Sequence, residues 1–221
     1  MAKDLVPSKN LMAVHYRTRG FFIKKTDRGE DSRLFTVYTR NFGKLKIFGK
    51  AIRKIGSKLK SGTEIFCLSE IEFIQGKNHK TLTDAVPLDK FPVIRKDFKK
   101  LKIIRQVVEV LDEFISKEEK DEHTWQLLSE IFDKLNNPQF KINYPGLVYY
   151  YFFWNFVSIL GYKPEIHDCT INKAKVSCDI LKIIKVILRK DWPILSRLRI
   201  TPFHQRLLKI VSEWYIKRII P

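Results

Sequence analysis

Cysteine is scarce in this sequence, which contains only Cys67, Cys169 and Cys178 among its 221 residues. An odd, sparse set of cysteines is not the framework of a small secreted domain held together by disulfides. The first ten residues, MAKDLVPSKN, also lack the apolar stretch of a signal peptide. We therefore expect a protein of the reducing cytoplasm.

Long apolar runs are also missing. The longest one covers residues 146–160, GLVYYYFFWNFVSIL, and it includes the polar residues Asn155 and Ser158. A membrane-spanning helix needs about 20 predominantly apolar residues, so this run is too short and too polar. Because aromatic side chains lie on every side of the segment, it predicts a helix at the centre of a core rather than an amphipathic helix.

Catalytic signatures are absent as well. The sequence has no P-loop, no GxSxG, no HExxH and no glycine-rich dinucleotide fingerprint. Its acidic run at residues 118–122 directly precedes a predicted helix, where carboxylates complement the positive end of the helix dipole. We therefore predict a binding protein without enzymatic activity and without a cofactor.

Acidic residues are outnumbered by basic ones, 24 against 42, which gives a net charge of +18. Residues 1–80 carry 18 basic and 7 acidic residues, residues 81–140 carry 10 and 12, and residues 141–221 carry 14 and 5. A codon bias toward lysine would not by itself leave the middle segment slightly acidic. The uneven distribution predicts a protein that binds a polyanion.

The period of the hydrophobic pattern changes near residue 86. Before it, apolar residues alternate or form short runs between turn signals, which predicts strands at residues 12–23, 33–39, 45–50, 63–75 and 80–85. After it, helical spacing predicts helices at about residues 97–115, 122–135, 144–161, 177–190 and 202–219. The fold class is α+β, with a small β-barrel or sandwich in residues 1–86 and a helical domain in residues 87–221.

The most basic stretch, residues 41–62, reads NFGKLKIFGKAIRKIGSKLKSG and contains no acid. Strand alternation places Leu45 and Ile47 on a buried face and the intervening residues on a basic face with one aromatic ring. Such a face suits single-stranded nucleic acid, whose phosphates pair with lysines and whose bases stack on rings. Gly56 and Gly62 are expected to let the following loop conform to its ligand. The predicted binding residues are Lys44, Lys46, Phe48, Lys50, Arg53, Lys54, Lys58 and Lys60, with Phe42 as an alternative stacking residue.

Basic residues near the C-terminus predict a second nucleic-acid-binding surface made of Lys173, Lys175, Lys182, Lys185, Arg197 and Arg199. A closed zinc site in the same region would need four ligands, usually as two close pairs. Only Cys169, Cys178 and His167 are at hand, so we predict buried thiols and no metal.

Several motifs occur in an order that resembles the bacterial RecO family of recombination mediators. They are Arg17-Thr18-Arg19, GEDSRL at 29–34, TRNFGKL at 39–45, GKAIRK at 49–54 with Ser57-Lys58-Leu59, and LGYKP at 160–164 before Cys169. The run from 49 to 59 is the most specific of them. The resemblance implies an N-terminal OB-fold, a helical C-terminal domain, and Arg33 as a further DNA-binding residue.

The same resemblance implies a function and partners. RecO proteins bind single- and double-stranded DNA, anneal complementary strands, and with RecR help to load RecA onto DNA covered by single-stranded DNA-binding protein (SSB), whose acidic tail they bind. The implied location is the cytoplasm, at the nucleoid when active. Many members carry four zinc-binding cysteines in the segment near residues 161–180. Here Cys169 and Cys178 are degenerate zinc positions, with Asn172 in place of another cysteine, so zinc is not expected.

Two other hypotheses stay open at this point. An OB-fold RNA-binding protein of translation or RNA handling would show the same composition, because only contacts to the 2′-hydroxyl distinguish RNA from DNA. A peripheral protein of anionic membranes would need a basic amphipathic helix, for which residues 180–189 are the best candidate. We expect no membrane association, because that segment also fits a core helix with one basic edge.

Overall fold

The structure is a computed structural model that describes residues 14–54, 56–116 and 118–219. Its strands are β1 (His15–Arg28), β2 (Ser32–Thr39), β3 (Gly43–Gly49), β4 (Leu68–Gln75), β5 (Lys80–Asp89), β6 (Ile166–His167), β7 (Thr170–Ile171) and β8 (Ala174–Lys175). Its helices are α1 (Pro92–Arg95), α2 (Phe98–Phe114), α3 (Glu122–Asn136), α4 (Leu147–Ile159), α5 (Cys178–Leu188), α6 (Trp192–Arg197) and α7 (Pro202–Ile219). The elements form two compact units, of which the first contains the five long strands together with Glu118–Lys120.

The first unit is a closed barrel with the strand order β1-β2-β3-β5-β4, closed by pairing of β1 with β4. All neighbouring strands are antiparallel except β3 and β5, which are parallel and pair only at Ile47–Lys80 and Phe48–Thr81. The core consists of the inward apolar residues of all five strands together with Ile52 from the β3–β4 connection. This five-stranded closure is the OB-type barrel, so the predicted fold class is confirmed.

Three strand boundaries differ from the prediction by more than two residues, and one of them is the end of β5, which continues past Ala85 to Asp89. The strand expected to begin at Thr63 begins at Leu68, because the preceding residues form turns in which Phe66 adopts a left-handed φ of 62°. β1 continues past Ile23 to Arg28, with a bulge between Phe22 and Lys24 where it pairs with β2. A bulge inserts one residue and changes the alternation, which ended the predicted strand too early. The predicted start of this strand at Met12 lies outside the described residues.

The second unit is mainly helical, and aspartates begin three of its helices. Asp97 accepts hydrogen bonds from the amides of Lys99 and Lys100, Asp121 caps α3 in the same way, and Asp191 accepts from the amide of Ile194. These caps satisfy N–H groups that have no partner inside the helix. The short helices α1 and α6 and the three-stranded sheet β6-β7-β8 were not predicted, because elements of two to six residues show no measurable period.

The aromatic helix α4 lies at the centre of this unit, as predicted. Ten of its residues are buried, and Trp154 packs against the ring of Tyr215 at a centroid distance of 4.8 Å. Its buried Asn155 donates hydrogen bonds from Nδ2 to the carbonyls of Tyr151 and Ile187, at 2.9 and 3.2 Å. The helix ends at Ile159 and is followed by Gly161, whose φ of 93° suits glycine, and the amide of Tyr162 donates to the carbonyl of Val157. Among the described residues, no helix is long and apolar enough to cross a membrane.

Candidate nucleic-acid interface

Strand β3 has one apolar face and one basic face. Leu45 and Ile47 have no exposed surface and belong to the barrel core. Lys46 is exposed, and Lys44 and Phe48 are half-buried on the opposite face. The alternation predicted from the sequence is therefore confirmed for this strand, and the face that carries Lys46 is open to a ligand.

The connection from β3 to β4 is held against the barrel. Ile52 is 2% exposed and Leu59 also packs on the barrel core. The carbonyl of Gly62 accepts a hydrogen bond of 2.6 Å from Ser69 Oγ, and a Cβ at Gly62 would collide with the carbonyl of Ala85 on β5. The expectation that Gly62 gives the loop freedom is wrong, because glycine is needed there for close approach of two backbone segments.

Four lysines of the predicted site are exposed and form no salt bridge within the described part of the chain. They are Lys46, Lys50, Lys58 and Lys60. Lys58 and Lys60 lie on a single 3-10 turn, which anchoring through Leu59 fixes on the barrel. Since these ammonium groups have no carboxylate partner among residues 14–54, 56–116 and 118–219, a phosphate can bind them without breaking an ion pair of that part of the chain.

Three other basic residues of the predicted site are paired with acids at or beside the β1–β2 turn. Arg33 Nε donates to Asp27 at 2.6 Å, and Arg53 Nη1 lies 3.8 Å from the same carboxylate. Lys54 lies 3.8 Å from Asp31, whose carbonyl also accepts from the amide of Arg53 at 3.0 Å. The structure thus brings Arg33, Arg53 and Lys54 together at one end of the barrel.

Asp27 is the electrostatic centre of this group. The hydrogen bond from Arg33 holds the pKa of Asp27 below its ordinary value of 3.8, and the positive charges of Arg33, Arg53 and Lys25 act in the same direction. Asp27 is therefore ionised at neutral pH and offsets part of the local positive charge. Asp27 was not among the predicted site residues, although an acid six residues before Arg33 across a glycine turn is a usable signal.

Acidic residues 118–119 also contact the barrel. Lys80 Nζ donates to both oxygens of Glu118, at 2.7 and 2.8 Å. Gly43 lies against the backbone of Glu119, where a Cβ would collide, and its φ is 65°. Gly43 is thus required both for its left-handed backbone and for this close approach. The dipole interpretation of the acidic run is therefore incomplete, because Glu118 forms an ion pair with Lys80.

The six residues of the predicted second surface lie on several elements of the helical unit. Lys182 and Lys185 are exposed on the solvent side of α5, whereas Ile183 and Ile184 of the same helix are buried. Lys182 Nζ lies 3.2 Å from Asp179 Oδ1. The remaining members are exposed: Lys173 in the β7–β8 turn, Lys175 in β8, Arg197 at the end of α6 and Arg199 just after it. Arg199 also lines an open cavity with Asn143, Tyr144 and Gln205.

Cys169 and Cys178 form a disulfide, so the prediction of two buried thiols is wrong. Cys178 is exposed and Cys169 half-buried, whereas Cys67 is fully buried in the barrel unit. The β6-β7-β8 sheet brings the two cysteines together by turning the chain back, a geometry that spacing alone does not reveal.

The donors around Cys169 do not fit a tetrahedral zinc site. The two sulfurs are bonded to each other. Asn172, at the degenerate zinc position, accepts a hydrogen bond from the amide of Glu165 at 2.8 Å and donates to the hydroxyl of Tyr215 at 3.5 Å. No cluster of three His, Cys, Asp or Glu side chains suited to a metal occurs among residues 14–54, 56–116 and 118–219.

A closed five-stranded OB-type barrel followed by a mainly helical region defines the class to which this chain belongs. The comparison with protein families agrees with that division. Residues 12–91 match the model described as recombination protein O N terminal, and residues 95–179 match recombination protein O C terminal. The chain is a member of the RecO family, as its sequence motifs predicted.

Curated relatives carry the name DNA repair protein RecO. One from Dehalococcoides mccartyi strain BAV1 is 28% identical over 165 residues, which cover 75% of this chain and 64% of the relative. A second, from strain 195 of that species, is 26% identical over 213 residues, covering 84% and 83%. The relative from Heliobacterium modesticaldum is 30% identical over 155 residues, covering 70% and 54%. The chain thus spans less than two thirds of the length of the first and third relatives.

Proposed function

We propose that this chain is a recombination mediator that binds single- and double-stranded DNA and anneals complementary strands. The observation that carries the proposal is the basic surface of the barrel, where Lys46, Lys50, Lys58 and Lys60 are exposed without a salt-bridge partner among the described residues. Membership in the RecO family supports DNA as the polyanion. The chain acts by binding, with no catalytic residue.

Annealing follows from charge neutralisation in this proposal. Two complementary strands repel each other through their phosphates, and a protein that binds both reduces the repulsion and raises their effective concentration. The barrel surface holds one strand. Lys173, Lys175, Lys182, Lys185, Arg197 and Arg199 of the helical unit supply the second DNA surface.

The partners in this proposal are RecR, which acts with the chain to load RecA, and SSB, whose acidic tail the chain binds. To displace SSB, the chain must compete with it for the same phosphates. The lysines of the β3–β4 connection, which is anchored on the barrel, provide this competition. Membership in the RecO family, whose resemblance implies these partners, supports this part of the proposal.

Annealing of complementary oligonucleotides coated with SSB, with and without this chain, tests the proposal. We expect faster annealing in its presence and a steep loss of the effect with salt, because each phosphate contact releases counterions. An unchanged rate would contradict the proposal. Replacing Lys182 and Lys185 with alanine tests the second surface, and we expect loss of annealing with retained binding of a single strand.

A further inference from the structure

Phe48 is the aromatic residue on the basic face of β3. Its sequence neighbours Ile47 and Gly49 are buried, while the Phe48 ring is half-buried on the outside of the barrel. Lys46, two residues earlier on the same strand, lies on the same face and is exposed. A ring in this position has a lysine beside it and solvent in front of it.

The β4–β5 turn brings a second ring to the same place. The short parallel pairing of β3 with β5 places Phe48 opposite Thr81, two residues after His79. The rings of Phe48 and His79 meet edge-to-face, with centroids 5.5 Å apart and planes at 68°. His79 is exposed, as is Lys77 in the same turn. In an edge-to-face pair, one ring covers only one face of its partner, so the pair retains open ring faces.

Phe42, the alternative stacking residue, has a different environment. It packs on the barrel core, and its ring contacts those of Tyr16 and Phe73, each at a centroid distance of 5.6 Å. Its apolar surface is therefore used in the barrel. Phe48 has no ring contact in the described residues other than His79.

We propose that Phe48 and His79 together form a base-stacking site for single-stranded DNA. Lysines on either side bind the phosphates that flank the stacked base, Lys46 on β3 and Lys77 in the β4–β5 turn. The site favours single strands, because a base in a duplex is stacked on its neighbours and presents no face to a protein ring. This inference rests on the DNA binding proposed above and adds His79 to it as a binding residue.

The test compares two single-stranded probes of equal length, oligothymidine and an abasic oligomer with the same phosphates, by fluorescence anisotropy. We expect the unaltered chain to bind oligothymidine more tightly. His79→Ala and Phe48→Ala should each weaken oligothymidine binding by about 5- to 100-fold, the usual effect of removing a stacking ring. Neither change should affect the abasic probe. His79→Phe should retain tight binding, because it keeps a ring.

The control is Phe98→Ala, which removes a ring that is 81% exposed on α2 and should leave both affinities unchanged. His79 lies in a surface turn, so its variant keeps the test valid if Phe48→Ala fails to fold. Equal binding of the two probes by the unaltered chain, or a loss that is the same for both probes, would overturn the stacking site alone. Failure to bind either probe would overturn the proposed DNA binding as well.

Discussion

The pairing of the basic residues predicts unequal contributions to the salt dependence of DNA binding. Lys58 and Lys60 are exposed and form no salt bridge within the described residues, so each can neutralise a phosphate directly. Arg53 and Lys54 are 3.8 Å from Asp27 and Asp31. When Arg53 and Lys54 bind phosphate, the carboxylates of Asp27 and Asp31 lose their cationic partners and attract cations from solution.

For single-stranded DNA, each phosphate contact contributes about 0.7 to the slope of log K against log salt concentration. The double variant Lys58→Ala/Lys60→Ala should therefore flatten the slope by about 1.4. The variant Arg53→Ala/Lys54→Ala should flatten it by less, because its cations only exchange one anionic partner for another. Fluorescence anisotropy titrations with oligothymidine at several salt concentrations measure both slopes.

Two exposed lysines of α2 supply a matched control. The variant Lys99→Ala/Lys102→Ala removes the same charge from the helical unit, outside both proposed DNA surfaces, and should leave the slope unchanged. Circular dichroism should show that all three variants are folded. An unchanged slope for Lys58→Ala/Lys60→Ala, or a larger change for the arginine-containing variant, would refute the assignment of phosphate contacts to the unpaired lysines.

Three further predictions concern other parts of the chain. Asp27→Asn should tighten single-strand binding by about 1.5- to 5-fold in anisotropy titrations, since it releases the two arginines from an exposed ion pair. Reduction of the Cys169–Cys178 disulfide, which joins residues nine apart, should lower the free energy of unfolding measured in urea by about 2 to 3 kcal/mol. Burial raises the pKa of Tyr149 to about 12, and nearby carboxylates add to the effect, so stability measured by circular dichroism should fall as the pH rises above 10. Stability falls with rising pH because Tyr149 ionises at a lower pH in the unfolded chain than in the folded one. In this range the folded state therefore binds more protons than the unfolded state.

Each of these predictions has a control. Asp27→Asn should not alter binding in Arg33→Ala/Arg53→Ala, and equal tightening there would contradict release of the arginines. The stability of the variant Cys169→Ser/Cys178→Ser should be insensitive to reductant. If reductant also left the stability of the unaltered chain unchanged, a stabilising role of the disulfide would be refuted. Tyr149→Phe should show a shallower loss of stability at high pH, and an identical profile would assign that loss to other groups.

The electrostatic network around Asp27 shows where prediction from the sequence failed. The basic residues of β3 and of the β3–β4 connection were predicted to bind DNA from an acid-free stretch, and Arg33 was added from the family resemblance. The sequence did not separate the lysines that form no salt bridge with a described residue from the residues paired with Asp27 or Asp31. That distinction depends on the β1–β2 turn, which the pairing of β2 with β3 brings close to the β3–β4 connection.

The Cys169–Cys178 disulfide and the Phe48–His79 ring pair were not predicted from the sequence either, and the reason is the same for both. Each joins residues whose separation along the chain gives no sign of contact, and each depends on strands that are too short or too irregularly paired to predict. The anchoring of Gly62 against Ala85 is a further example, since glycine in a basic loop suggested mobility and the structure uses it for close packing.

What the sequence determined by itself was local: the alternation that buries Leu45 and Ile47, the helical period after residue 86, the start of α2 near Asp97, and the aromatic core helix α4. These follow from interactions within a few residues, whose period is visible along the chain. Which charges are neutralised, which rings stay open and which cysteines meet was decided only by tertiary structure. Coulomb and stacking interactions depend on distance in space, and strand pairing in the barrel and in the small sheet sets those distances.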